Sequence, residues 1–303
     1  MINIVFFGTP AIALKSLEYL YNSDKINVLA VVTQPDKPSG RGHKMSMSVI
    51  KQFALEHNLP VFQPKSIRKE PEIQEELKKL NPDFFVTFAF GQILSQDVLD
   101  IPKYETINLH ASLLPKYRGA NPIQRAIING DKETGICTMI TELGLDCGDV
   151  CLRETIQIPD DMTCVDLFER ISDESPELIE KTLIGLLDKS ITPQKQCDTG
   201  VCMANKLTKE ETLIDWTKSA EQIHNLVRGI YKFPSAYFVH NNKIVKVLET
   251  RVTKNSGKCG EFTKISKDGI EVGCGKDCLL LVKVKPEGKG EMFARDWANG
   301  LKK

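Results

Sequence analysis

Side chains suited to binding a ligand or acting on it chemically cluster in two short stretches. The first is Ile107-Asn108-Leu109-His110-Ala111-Ser112-Leu113-Leu114-Pro115-Lys116-Tyr117-Arg118-Gly119, and the second is Gly144-Leu145-Asp146-Cys147-Gly148. Asn108 and His110 stand two apart near the end of an apolar run, so strand geometry places both side chains on one face. An amide and an imidazole on one face point to a ligand more strongly than a lone histidine does, since a lone histidine is more often structural. Asp146 lies between glycines in a loop that can bring its backbone close to a ligand and aim the carboxylate at it. A Ser-His-Asp hydrolase reading of Ser112, His110 and Asp146 fails. Ser112 lies too near His110 for a strand-borne pair to meet, and no Gly-x-Ser-x-Gly turn occurs. Gly8-Thr9-Pro10 extends neither to Gly-x-Gly-x-x-Gly nor to a Walker A loop, so neither a dinucleotide nor a nucleoside triphosphate is indicated.

These groups need a rigid platform, and the first two-thirds of the chain supplies one. Ile2–Phe7 is a nearly continuous apolar run, followed at Ala11–Tyr21 by apolar residues at helical spacing. The alternation recurs: strands at Val28–Thr33, Pro60–Phe62, Phe84–Phe88, Thr106–Leu109 and Gly135–Thr141, and helices at Val49–His57, Glu72–Leu80, Pro122–Asn129 and Cys164–Asp188. Uninterrupted apolar strands between helices specify a Rossmann-like α/β fold, with a mostly parallel sheet covered by helices on both faces. Ligands in such sheets bind at the carboxyl ends of strands, where Asn108 and His110 fall.

Residues 190–205 carry no sustained period and read as a linker between a catalytic domain at 1–189 and a second domain at 206–303. Past a helix at Ser219–Ile230, five short strands with turn signals at Asn241-Asn242, Lys267-Asp268-Gly269 and Gly275-Lys276-Asp277 predict a small OB-like β-barrel. Charge divides along the same line. Residues 1–202 hold 21 basic and 28 acidic residues, net −7, and residues 203–303 hold 19 and 12, net +7. The overall zero conceals a basic domain suited to a polyanion.

The 303-residue length suits two domains. With 41% hydrophobic and 26% charged residues, the composition is that of a globular protein and excludes disordered and collagen-like chains. No apolar run approaches the ~20 residues of a membrane span. Met1–Gly8 lacks a basic n-region and reads as a first strand. Nine cysteines, an odd number without a Cys-x-x-Cys, indicate a reducing compartment, the cytoplasm, with buried thiols and no metal site.

With these motifs in view, the sequence resembles the methionyl-tRNA formyltransferase family over nearly its whole length. The matching segments are Phe6–Pro10, Val31–Gly42, Asn108–His110, Ser112–Gly119, Gly144–Asp146, Ile214–Trp216, Val227–Gly229 and Pro286–Lys289. Phe90, Ser95, Asn121 and Cys147 stand where the family usually has Tyr, Pro, Ala and Thr.

The resemblance implies formyl transfer from 10-formyltetrahydrofolate to the amino group of methionine on initiator tRNA, with Asn108, His110 and Asp146 as catalytic residues. Ser112, Leu113, Leu114 and Pro115, with Phe90, Gly91, Gln92, Ile93 and Leu94, would surround the folate ring. Arg41 and Lys44 in the glycine-rich loop, with Lys206 and Lys209 at the linker exit, would contact the tRNA backbone. A monomer without membrane association is expected. Formyltransferases acting on amino sugars or glycinamide ribonucleotide share the Asn-His-Asp core but not the basic domain, and a 10-formyltetrahydrofolate hydrolase would use water as acceptor. A catalytically dead RNA-binding protein would not need the trio.

Overall fold

The computed structural model describes residues 1–39 and 44–301, with the side chains of Ser39, Lys44 and Leu301 outside that description. In chain order the strands are β1 (Ile2–Gly8), β2 (Ile26–Val32), β3 (Lys37–Ser39), β4 (Lys44–Ser46), β5 (Val61–Phe62), β6 (Phe84–Phe88), β7 (Glu105–His110), β8 (Arg118–Gly119), β9 (Glu133–Ile140), β10 (Val150–Gln157), β11 (Met203–Ala204), β12 (Tyr237–His240), β13 (Lys243–Thr253), β14 (Phe262–Ser266), β15 (Gly269–Gly273), β16 (Cys278–Pro286) and β17 (Met292–Phe293). The helices are α1 (Leu14–Asn22), α2 (Val49–Glu56), α3 (Pro71–Lys79), α4 (Gln96–Leu99), α5 (Pro122–Ile128), α6 (Cys164–Leu187), α7 (Ala220–Gly229) and α8 (Ala294–Leu301). Backbone contacts divide the chain into two units, one of residues 1–119, 135–156 and 168–203, the other of 120–134, 157–167 and 204–303.

The first unit is built on a seven-stranded sheet in the order β10-β9-β7-β6-β1-β2-β5. β1, β2, β5, β6 and β7 pair in parallel, and β9 joins β7 antiparallel. Central strands are apolar on both faces because both are covered. Val5, Phe7, Val32 and Phe85 pack with Leu77 of α3 and Val98 of α4, while alternate residues Ile4, Phe6 and Phe84 are equally buried on the other side. There α6 ties on through Thr182, whose hydroxyl lies 2.7 Å from that of Thr138 on β9. Each such buried apolar side chain contributes about 1.5–3 kcal/mol. The expected mostly parallel sheet with flanking helices is therefore present. No apolar run marks β10 in the sequence, because it is an edge strand whose Arg153, Glu154 and Thr155 are exposed.

The second unit carries an antiparallel sheet ordered β12-β13-β16-β15-β14, with β17 on β16. Its core gathers Phe238, Val247, Val272 and Leu281 with Ile223 and Val227 of α7 and Trp297 of α8. A capping box between Ser219 and Gln222 starts α7. Among the described residues no helix is long and apolar enough to cross a membrane.

Candidate active site

Asn108 and His110 sit at the carboxyl end of β7, and parallel register sets Thr87 of β6 directly opposite Asn108. The Thr87 hydroxyl donates to Asn108 Oδ1 at 2.8 Å. With its oxygen committed, the amide presents Nδ2, which has no hydrogen-bond partner among the described residues and is not sealed from solvent.

His110 is buried, 6% exposed. Its Nε2 lies 2.9 Å from the Tyr117 carbonyl. A carbonyl only accepts, so Nε2 carries the proton in that contact. Nδ1 then faces Asp146, 3.6 Å from Oδ2. The same Oδ2 accepts the Gly119 N–H at 2.8 Å, while Oδ1 has no partner among the described residues. Asp146 thus reaches His110 from the loop that follows β9, and Asn108 stands two residues before His110 on β7.

Backbone geometry explains the acidic loop. Asp146 adopts a φ of 49°. This left-handed conformation costs a non-glycine residue about 1 kcal/mol. Gly148 must lack a side chain, since a Cβ there would lie 2.0 Å from the Ile140 carbonyl oxygen. Gln196, 6% exposed, donates from Nε2 to the carbonyls of Asp146 (2.9 Å) and Gly148 (2.8 Å) and accepts at Oε1 from Arg118 Nε and Nη2.

The residues expected around a folate ring divide into two sets. Phe90 and Leu94 belong to the core, Phe90 edge-on to Phe7 with ring centroids 5.3 Å apart. The Phe90 carbonyl accepts from Gln34 and Thr9 side chains. Gln92 braces its loop, donating to the Pro64 carbonyl and accepting the Ile67 N–H. Gly91 and Ile93 are exposed. In the other stretch Ser112 is fully buried, its hydroxyl donating to the Lys116 carbonyl at 2.6 Å, and Leu114 packs on Cys137, Met139 and Val150. The peptide between Leu114 and Pro115 is cis, and Leu113 and Pro115 are half-buried. Large apolar side chains that stay exposed, Ile93, Leu143 and Leu145, lie on the loops after β6 and β9.

Of the residues expected to meet tRNA, Lys206 and Lys209 are exposed, Arg41 lies outside the described residues, and of Lys44 only the backbone, in β4, is described. All nine cysteines are free thiols. Five are buried, and burial pushes the Cys137 thiol up to about 11 and Cys151 to about 12. Cys147, Cys197, Cys202 and Cys259 are not buried, in contrast to the expectation from sequence. Among the described residues no group of three or more His, Cys, Asp or Glu could hold a metal ion.

Sequence reasoning missed Thr87, the Tyr117 carbonyl and Gln196. Thr87 stands out as the one polar residue in the apolar run Phe84–Phe88, but nothing in the sequence sets it opposite Asn108. Gln196 lies in a stretch without period, and no local signal marks it.

Residues 2–183 match the formyl transferase family, and residues 206–302 match the formyl transferase C-terminal domain. The methionyl-tRNA formyltransferase of Clostridium perfringens (strain 13 / Type A) is 46% identical over 299 residues, 98% of this chain and 96% of that protein. Two solved structures share the fold. One is the N-formyltransferase from Helicobacter canadensis in complex with folinic acid and dTDP-3-aminofucose, with TM-score 0.68 and 21% identity over 93% of this chain and 99% of that one. The other is a methionyl-tRNA formyltransferase from Clostridium thermocellum, with TM-score 0.59 and 18% identity over 84% and 96%. Fold and site together define a formyl transferase. At this level of identity over nearly full length, the chain belongs to the methionyl-tRNA formyltransferase family.

Proposed function

We propose that this protein transfers the formyl group of 10-formyltetrahydrofolate to the α-amino group of methionine on initiator methionyl-tRNA, and that Asn108, His110 and Asp146 carry out the chemistry. Membership of the family supports the reaction, and the approach of Asp146 to His110, two residues beyond Asn108 at the carboxyl end of β7, supports the assignment.

The site suits a flat heteroaromatic donor. Exposed Ile93, Leu143 and Leu145 offer apolar surface on the flanking loops, and Asn108 Nδ2 and Asp146 Oδ1 keep unused hydrogen-bonding capacity at the sheet edge. Leu113, Pro115, Gly91 and Ile93 are the members of the expected folate set with surface to offer, while Ser112, Leu114, Phe90, Gln92 and Leu94 hold the loops in shape. When bound, 10-formyltetrahydrofolate supplies an activated formyl carbonyl whose oxygen gains negative charge as an amine adds to its carbon.

Asn108 donates from Nδ2 to that oxygen, with Thr87 keeping the amide turned outward. Asp146 takes the proton that the methionyl ammonium must lose before it can act as a nucleophile. His110, anchored by the Nε2–H it donates to the Tyr117 carbonyl, sets Nδ1 beside Asp146, whose carboxylate is held by the Gly119 N–H and gains a donor from the ring when Nδ1 is also protonated. No protein nucleophile is needed: the amine adds directly to the formyl carbon, the bond from that carbon to N10 of the folate breaks as the oxyanion collapses, and the surplus proton of the attacking nitrogen passes to N10, releasing tetrahydrofolate. Lys206 and Lys209 contribute sequence-independent contacts to the tRNA backbone, and Arg41 and Lys44 contact the acceptor end. The protein acts as a monomer in the cytoplasm.

An acid-urea gel of charged initiator tRNA, incubated with the protein and 10-formyltetrahydrofolate, tests this reading. The expected result is donor-dependent conversion to the formylated species. No conversion of tRNA, together with formylation of a dTDP-amino sugar, would contradict it.

A further inference from the structure

We infer that Gln196 is a positioning residue for Asp146, and that the segment crossing the acidic loop at residues 194–202 is part of the working site. This inference takes the formyl transfer reading as its basis.

Gln196 uses every hydrogen-bonding group it has at one place. Both N–H bonds of its amide go to anchor points of the acidic loop, the Asp146 carbonyl and the Gly148 carbonyl. Its oxygen takes two donors from the Arg118 guanidinium. It therefore clamps the two backbone positions on either side of Cys147 and ties them to the loop whose next residue, Gly119, donates to Asp146 Oδ2. The segment is itself fixed at both ends. Gln194 exchanges two backbone hydrogen bonds with Val150 at the start of β10, and the Cys202 carbonyl accepts the Arg118 N–H while its sulfur accepts the Tyr117 N–H. Tyr117 is the residue whose carbonyl anchors His110. One segment thus braces both partners of the imidazole–carboxylate pair from behind.

The clamp meets a specific need. Asp146 holds a left-handed φ of 49°, a conformation that aspartate adopts more readily than most residues but at a cost glycine does not bear. A short loop in that state relaxes unless its carbonyls are held. Cys147 cannot do this, since its sulfur is directed at Glu142 at 3.9 Å. A Gln amide is the side-chain group that can donate twice and accept twice here; a carboxylate in its place would set negative charge against two carbonyl oxygens. Gln196 touches none of the atoms expected to react, so its influence passes through Asp146.

The test compares wild type, Gln196→Leu and Gln196→Glu in full-length protein. Formylation of charged initiator tRNA is followed at saturating and subsaturating concentrations of each substrate, with melting temperature measured alongside. Glu keeps the acceptor for Arg118 and loses both donors to the loop. Both variants are expected to lose about 10- to 100-fold in kcat with each KM within threefold of wild type, the pattern of a misplaced catalytic group. In an Asp146→Ala background, Gln196→Leu is expected to cost less than twofold more, because the residue it positions is gone. A kcat within threefold of wild type for either variant, a full further loss in the Asp146→Ala background, or failure of both variants to fold would overturn the inference. Inactive wild-type protein would instead refute the formyl transfer reading.

Discussion

Two polar clusters in this molecule look alike at first sight and differ in what they leave open. In the first unit, Asn108, His110 and Asp146 are held by Thr87, Tyr117 and Gly119. In the second, His224 lies with Nδ1 2.8 Å from the Thr250 hydroxyl and Nε2 3.2 Å from the Asp160 carbonyl. Beside it, buried Arg228 donates to Asn225 Oδ1 and to the carbonyls of Met162 and Pro159. Each histidine has a partner facing both of its ring nitrogens. The difference is that the first cluster keeps both an amide donor and a carboxylate oxygen without partners among the described residues, whereas the second leaves only donors, Asn225 Nδ2 and Arg228 Nη2, and pairs no carboxylate with its imidazole. Burial and hydrogen bonding therefore identify order, and unspent donors and acceptors beside an ordered cluster identify chemistry.

Substitutions can break this contrast. The largest effect is expected from Asp146→Ala or His110→Ala, which should lower kcat for formylation by about 10³-fold while the melting temperature stays near that of wild type. Asn108→Ala removes the free amide donor and should cost about 10²–10³ in kcat with little change in either KM. Thr87→Val keeps the shape of the strand but releases the Asn108 amide, and a loss of about tenfold in kcat is expected, with neither KM changed.

The second cluster should respond in stability rather than rate. Burial pushes the His224 imidazole below its ordinary range. Its contribution to stability is therefore fully present at neutral pH and is lost as pH falls through the ordinary histidine range toward the lowered folded value. His224→Gln should flatten that acid limb in a plot of melting temperature against pH, with kcat at neutral pH within twofold of wild type. The smallest change is expected at the exposed lysines. Replacing Lys206 and Lys209 with Gln should reduce the slope of log tRNA affinity against log salt by about one for each lysine–phosphate pair removed, and leave folate affinity alone.

The sequence exposed these regions unequally. The parallel sheet was legible because its strands are buried on both faces and show as apolar runs, as at Ile2–Phe7 and Phe84–Phe88. The pairing of Asn108 with His110 on one face followed from period-2 geometry alone. Register did not. That Thr87 lies opposite Asn108 depends on how β6 and β7 align, and parallel strands joined by a crossover carry no local mark of alignment. Gln196 was illegible for a related reason: its partners are 78 and 50 residues away, in a stretch whose lack of period suggested only a linker. The short α8 carries too few turns for its period to stand out, although its Trp297 joins the second core.

The most direct test of the catalytic arrangement is a crystal structure of the protein with folinic acid, whose formyl oxygen reports where the transferred group is held. The expected result places that oxygen within about 3.2 Å of Asn108 Nδ2, with Asp146 Oδ1 on the open side where the incoming amine must stand. A formyl group bound beyond hydrogen-bond reach of Asn108 and separated from Asp146 by packed protein would contradict the account.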